Sequence, residues 1–444
     1  MKKSLVRAAA VALTAGVALT ACSDPGVQDP SSPTEGGGSA AAEWPAEDAN
    51  LDGVTLTIWA AQNSNKTADP VIAGFEELTG ATVEVVTIPD PYEQGIQTKV
   101  ATGDKPDLAF WQPTESQLNA LNATNNLLPL DGAPWLDAMD PALKDLTGFV
   151  GDTRYAALIS TPAVQGVYYN KEVFAEAGIT ETPGNIEEMI ELARTLDADG
   201  VTPFHEMAAD RWGTQWWVQI QLANAAKDGL WDRVNANEEQ FTDETIMTAI
   251  NNYKGWIDEG LFNDDIKTAT FEDQGDALLA GDAAMVVQVN SFFGQLQAKA
   301  DTAELDEKIG FFPISPEGNV GTSIPDQSNA VVAFKTGDAT QEAAAKQFLS
   351  YWLGDGYADF VQAANTISLQ PDVSNPDGVP QALLDVHASL ADSVGSMQSL
   401  AVANPDLYIN LADMIQGTKT PQQVGEATQQ QFAELAKALG AEGF

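Results

Sequence analysis

The chain has 444 residues, with 21 Lys plus Arg against 64 Asp plus Glu, for a formal net charge of −43. That balance argues against nucleic acid or anionic lipid head groups as partners, because binding them depends on clustered cations, and we read the acidic surface as solvated, not as a site for a cationic ligand. A chain of this length exceeds what one hydrophobic core usually serves, so two domains or lobes are expected.

At the N-terminus, Lys2, Lys3 and Arg7 flank the start of an apolar run from Ala8 to Leu19, the layout of a secretory signal. The run is too short to span a bilayer. It ends in Leu19-Thr20-Ala21-Cys22, which resembles the bacterial lipobox, with a Leu upstream of a Cys and small residues between them. The expectation is a signal peptide over 1–21, cleaved in front of Cys22, with lipid on that cysteine; the alternative is an ordinary secretory signal with an incidental Cys. Cys22 is the only cysteine, so it has neither a disulfide partner nor fellow thiolates for a zinc site. Residues 22–50 read as the lipidated cysteine and a flexible tether, rich in Ser, Pro and Gly and without apolar periodicity. Cleavage removes three cations and no acid, moving the charge from −43 to −46.

The folded part is predicted to begin near Leu51. Val54 to Trp59 alternates apolar and polar residues as a half-buried strand does. Asp69-Pro70 opens a helix that places Val71, Ile72, Phe75 and Leu78 on one face and stops at Gly80. Thr82 to Ile88 reads as strand, Tyr92 to Thr102 as helix and Pro106 to Trp111 as strand, an alternation that argues for parallel βαβ units. In such sheets ligands sit beyond the carboxyl ends of strands, here Ala60 to Lys66 and Trp111 to Glu115. Further on come a strand Val167 to Asn170, a short helix Lys171 to Gly178 and a longer one Pro183 to Leu196. A Trp-rich stretch from Trp212 to Trp217 leads into a helix through Ala226, and further helices span Thr242 to Gly260 and Phe271 to Gly281. Ala284 to Val289, Ile309 to Pro313 and Ala330 to Phe334 return to strand, with a Gly, Ser, Pro and Asn stretch from Ser315 to Asn329 crossing between elements; the remainder is mainly helical, without a tandem repeat.

This order of segments resembles the extracellular solute-binding proteins of ABC importers, in the group related to maltodextrin-binding protein. The resemblance rests on the strand ending in Trp59, Phe75 to Gly80, Ala101-Thr-Gly-Asp-Lys-Pro-Asp-Leu108, Asn126 to Asp131, Tyr168-Tyr-Asn-Lys-Glu-Val-Phe174, Leu279 to Met285 and Gly417 to Val424. One departure is that Gly151-Asp-Thr-Arg-Tyr155, read as a lobe crossover, continues into Ala-Ala-Leu-Ile where relatives usually place Gly and Pro. The resemblance implies an α/β, two-lobed periplasmic-binding-protein-like fold (type II), each lobe a mostly parallel sheet flanked by helices and joined by hinge crossings. The N-terminal lobe is expected over 51–160 and 329–368, and the C-terminal lobe over 161–328 and 369–444. It also implies a monomer, without cofactor, that closes over a small-molecule solute and hands it to ABC permease subunits encoded as separate chains. Closure is favoured only insofar as the ligand contacts both lobes.

A carbohydrate is the expected ligand class, since aromatic platforms beside Asp, Asn, Gln and Glu suit C–H faces and rings of hydroxyls. The candidates are Gln62, Asn63 and Lys66 on the first strand-end loop, Trp111, Gln112 and Thr114 on the second, and Gln165 beside the Val167 strand. Trp212 and Trp216 follow, then Asn290 and Phe292 after the Ala284 strand, Asp326 and Gln327 on the crossing, and Tyr408 before the last helices. For each of these, packing in a core or capping a helix is the competing role.

Catalytic motifs are missing. His205 and His387 are the only histidines and form no metal motif, so no metal site is expected, and GxSxG, P-loop and GxGxxG patterns are absent. Asp197-Ala-Asp-Gly200 is better explained as a helix-end turn than as a calcium loop. Three other readings stay open at this stage: a binding protein of the same family for a non-sugar solute, a secreted glycoside hydrolase, which needs only two carboxylates, and a lipid-anchored adhesin.

Overall fold

The computed structural model describes residues 44–444 except 62–63, 90–91 and 325. The signal peptide, Cys22, and the candidates Gln62 and Asn63 therefore lie outside the described residues.

Five strands form the first sheet, in the order β2 (Thr82–Thr87), β1 (Thr55–Ala60), β3 (Leu108–Phe110), β11 (Ala330–Ala333) and β6 (Ala156–Leu158). β1 (Thr55–Ala60), β2 (Thr82–Thr87) and β3 (Leu108–Phe110) pair in parallel, because the helix Asp69–Thr79 carries the chain back between β1 and β2. That helix starts with proline in its first turn, where no N–H is needed, and buries Val71 and Phe75. It ends where Gly80 adopts φ 79 and donates its N–H to the Glu76 carbonyl, a left-handed cap that favours glycine. β4 (Phe149–Val150) and β5 (Thr153–Arg154) form a small hairpin. β6 (Ala156–Leu158) then joins the first sheet, so Gly151 to Tyr155 turns within one lobe and the crossover expected there comes later, after Leu158.

The second sheet is organised around β7 (Ala163–Asn170), which runs antiparallel to β8 (Met285–Gln288), β9 (Ile309–Phe312) and β10 (Thr322–Ile324). β12 (Val394–Gly395) adds in parallel to β10. In the first sheet, β11 (Ala330–Ala333) enters antiparallel to both β3 and β6. The two-lobed α/β architecture stands, but the expectation of mostly parallel sheets is corrected: the second sheet is mainly antiparallel, because the long strand β7 runs against β8, β9 and β10 alike. At Gly166 a side chain would collide with the Phe311 ring and come within 2.9 Å of the Phe312 carbonyl oxygen, so the β7 and β9 backbones approach closely only because it is glycine.

Asn170 ends β7 and starts the helix Lys171–Glu176. Its Oδ1 accepts from Glu172 N and Val173 N at 2.9 and 3.0 Å, while its Nδ2 donates to the Leu278 carbonyl at 2.8 Å. One core gathers Phe75, Phe110, Leu349 and Trp352 around the first sheet, and another gathers Phe204, Trp217, Tyr253 and Phe262 beside the second. Helices Ala339–Leu353 and Tyr357–Ala364 pack on the first sheet and its helix, and Gln381–Ser389 packs on β7 and β9, so the chain crosses once more between 364 and 381.

Candidate functional site

The crossings lie side by side. Residues 159–162 link β6 to β7, residues 325–329 link β10 to β11, and Asn329 joins the two. The Asn329 Nδ2 donates to Ser160 Oγ at 2.9 Å and to the Thr161 carbonyl at 3.1 Å, and its carbonyl accepts from Ile159 N at 2.9 Å. Next to them, His387 Nδ1 lies 3.3 Å from Thr161 Oγ1, and burial holds that imidazole below its usual pKa, with Asp140 pulling the other way.

Between the lobes and against these crossings opens a cleft of ≈ 990 Å³. The first lobe contributes Gln112, Asn365, Thr366 and Ile367, and the crossings contribute Ser160, Thr161, Asp326, Ser328 and Asn329. The second lobe supplies Trp212, Gln215, Trp216, Phe271, Asn290, Phe293, Gln297, Gln398 and Asn404 among others. Among the described lining residues Asp326 is the one ionisable side chain; the other polar side-chain groups are carboxamides, hydroxyls and the indole N–H of Trp212 and Trp216.

The aromatic wall is built by a single-turn helix, Trp212–Gln215, running into the helix Trp216–Lys227. Arg211, at φ 62, makes the sharp entry in a region uncommon for residues other than glycine. The Thr214 hydroxyl ties the turn to the Arg211 carbonyl at 2.8 Å and the Tyr408 carbonyl at 2.9 Å. Trp212 meets Trp216 edge-on at 6.2 Å and Phe271 at 4.9 Å, so the rings hold one another at fixed angles. Trp216 is only 4 % exposed, and its Nε1 has no partner among the described residues.

Of the residues singled out from sequence, Gln112, Trp212, Trp216, Asn290 and Asp326 line this cleft. The Asn290 Oδ1 accepts from Val164 N at 3.0 Å, and the Asp326 carboxylate accepts from Ser328 N and Oγ, both at 2.8 Å. The other described candidates lie off this lining. Trp111 is wholly buried: its Nε1 donates to the Gln117 carbonyl at 2.9 Å and its ring lies against Tyr92, since β3 runs on into the core and the chain reaches the cleft one residue later. Thr114 caps the helix Glu115–Ala120. Lys66 is exposed and pairs with Asp69 at 3.4 Å in solvent. Phe292 is buried against Tyr168 and Phe271, leaving the lining position to Phe293. Gln165 is buried behind the wall, bonded to Gln219, and the Gln327 Oε1 accepts from Ser64 Oγ at 3.2 Å. Tyr408 offers its carbonyl to the Thr214 hydroxyl and is not among the lining residues.

Sequence reasoning missed Gln215, Phe271, Phe293, Gln398 and Asn329. Gln215 carried a usable signal, since it sits between two tryptophans already chosen. Phe271 was legible only as the start of a helix, and Gln398 lies in a segment without periodicity.

Two other hollows share no residue with the crossings. One of ≈ 400 Å³ is lined by Ile190, Arg194, Gln221, Asn252 and Trp256, the other, of ≈ 430 Å³, by Asp197, His205, Asp264, Asp265 and Asp282. Among the described residues no group of three or more His, Cys, Asp or Glu is placed to hold a metal ion, and no helix is long and apolar enough to cross a membrane.

Residues 60–359 match the family described as bacterial extracellular solute-binding protein. The xylose/arabinose-binding protein XacG of Haloferax volcanii is 24% identical over 186 residues, 41% of this chain and 39% of that protein. The multiple sugar-binding protein of Streptococcus mutans is 25% identical over 171 residues, 37% of this chain and 40% of that protein. The alignment thus spans about two fifths of the length of each of these relatives. Among solved structures, apo RafE from Streptococcus pneumoniae superposes with a TM-score of 0.71 at 18% identity, covering 89% of this chain and 100% of that one. RafE in complex with raffinose gives 0.69 at 19% identity, covering 86% and 100%.

Proposed function

This chain belongs to the bacterial extracellular solute-binding proteins, and from that premise we propose that it is the carbohydrate-capturing component of an ABC importer, held at the outer face of the cell membrane by lipid on Cys22. The observation that carries the ligand class is the cleft lining: aromatic rings beside carboxamides and hydroxyls, with Asp326 as the one charged side chain among the described residues. Such a surface offers a flat apolar face to a sugar ring and paired donors and acceptors to its hydroxyls, and it has no cation to neutralise a phosphate or carboxylate. That XacG is described as xylose/arabinose-binding and that RafE was solved with raffinose supports the same class.

The lobes divide near the crossings, at 51–160 with 329–368 and 161–328 with 369–444, and a bound sugar touching both favours closure. The matched family is one of binding proteins, and we read this chain as one of them and not as an enzyme. The closed monomer delivers its sugar to a separate permease.

Thermal-shift and calorimetric titration of the chain from residue 44 onward with neutral mono- to tetrasaccharides tests the ligand class. Saturable stabilisation by a sugar is the expected result. Stabilisation by amines or peptides with every sugar silent would refute it.

A further inference from the structure

Beneath the tryptophan wall four glutamine side chains bond to one another. Gln398 Nε2 donates to Gln215 Oε1 at 2.7 Å, Gln219 Nε2 donates to the same oxygen at 3.2 Å, and Gln165 Nε2 donates to Gln219 Oε1 at 3.4 Å. An amide can present either its nitrogen or its oxygen, so the direction of such a network has to be settled by neighbours that cannot reverse. Two main-chain groups settle it here. The Trp212 carbonyl, which only accepts, takes Gln215 Nε2 at 2.9 Å, and the Met397 N–H, which only donates, reaches Gln219 Oε1 at 3.3 Å. Gln215 must therefore turn its oxygen inward, and Gln398 must spend its nitrogen on that oxygen.

The consequence falls on the cleft. Gln398 lines it and is 6% exposed, and its Oε1 is buried without a partner among the described residues. We propose that Gln398 determines specificity in the cleft, its carboxamide oxygen being reserved by the Gln215 hub to accept a hydrogen from one hydroxyl of the bound carbohydrate. This rests on the carbohydrate reading above. Trp216 lines the same cleft and its Nε1 has no partner among the described residues, so it supplies a donor, and a ligand using both groups must both give and take hydrogen bonds, as a hydroxyl does. Gln215 and Gln219 are positioning residues that set the polarity of Gln398.

The test uses the tightest-binding member of a panel of neutral sugars that includes raffinose and stachyose, together with its monodeoxy analogues. Q398M keeps the side-chain length and removes the acceptor; it should raise Kd about tenfold while the ligand-free melting temperature stays within a few degrees of the wild type. One deoxy analogue should bind the wild type about tenfold more weakly than its parent, yet bind Q398M no more weakly than the parent does, since the two losses concern one bond. An unchanged Kd for Q398M overturns the assignment and leaves the carbohydrate reading standing. Should Q398M fail to fold, the deoxy series on the wild type decides, and a series in which no single hydroxyl matters overturns it. If the wild type binds no sugar, both the carbohydrate reading and this assignment fall.

Discussion

Asn329 and Thr161 sit on different crossings and are joined by a hydrogen bond of 3.1 Å from the Asn329 side chain to the Thr161 carbonyl. With the companion bond to Ser160 Oγ, one buried carboxamide staples two of the strands of chain about which the lobes must bend. Replacing Asn329 by Ala removes both donors and leaves a buried carbonyl without them. Unfolding stability should fall by about 1–3 kcal/mol in urea titration, and the ligand-free protein should scatter X-rays as a broader distribution of lobe angles. A variant as stable and as uniform as the wild type would show the staple to be idle.

Trp212 and Trp111 should behave in opposite ways. Trp212 lines the cleft, and Trp212→Ala should weaken sugar binding by roughly 0.5–1.5 kcal/mol with a modest change in melting temperature. Trp111 is core, so Trp111→Ala should cost stability of about 3–5 kcal/mol, and the more conservative Trp111→Phe should keep wild-type Kd. Calorimetry alongside thermal melts separates the two. Lost affinity in a stably folded Trp111→Phe would return that residue to the site.

Glu206 is a buried carboxylic acid, 2 % exposed. Tyr253 Oη donates to it at 2.8 Å and Met207 N at 2.7 Å, yet burial pushes its carboxyl up to about 7. A folded-state pKa above the unfolded one means that the folded chain holds the proton more tightly. The stability linked to it is therefore full below about pH 4.5 and is lost as pH rises through 7. Glu206→Gln, which mimics the protonated form, should match the wild type at low pH and exceed it by up to about 3 kcal/mol above pH 7. Denaturant titrations at pH 4.5 and 8 measure this, and a difference independent of pH would refute it.

Cys22→Ala should release the full-length protein from the membrane fraction while leaving sugar affinity unchanged. A variant that still sediments with membranes would contradict the anchor.

What could be read in advance follows from how local each signal is. The helix Asp69–Thr79 was legible at both ends because Pro70 and Gly80 act through their own backbones. β7 was found only from Val167 onward, since Ala163 to Val167 is buried on every residue and shows no alternation. The antiparallel entry of β11 beside β3 depends on partners far apart in the chain, which no local pattern encodes. Trp111 misled for a related reason: a strand-end tryptophan announces a ring but not the Gln117 carbonyl that satisfies it in the core. Gln398 has no signal at all until the fold brings Gln215 to it.

The near absence of charge in the cleft has a kinetic meaning as well. The full chain carries a formal net charge of −43, and the resulting field would steer or repel any ionic ligand and would do so less as salt rises. A neutral ligand meeting a lining of amides, hydroxyls and rings feels none of that steering. The rate of capture should therefore be the same in dilute and in concentrated salt, and substitutions that change the outer surface charge can accumulate without altering what the cleft takes up.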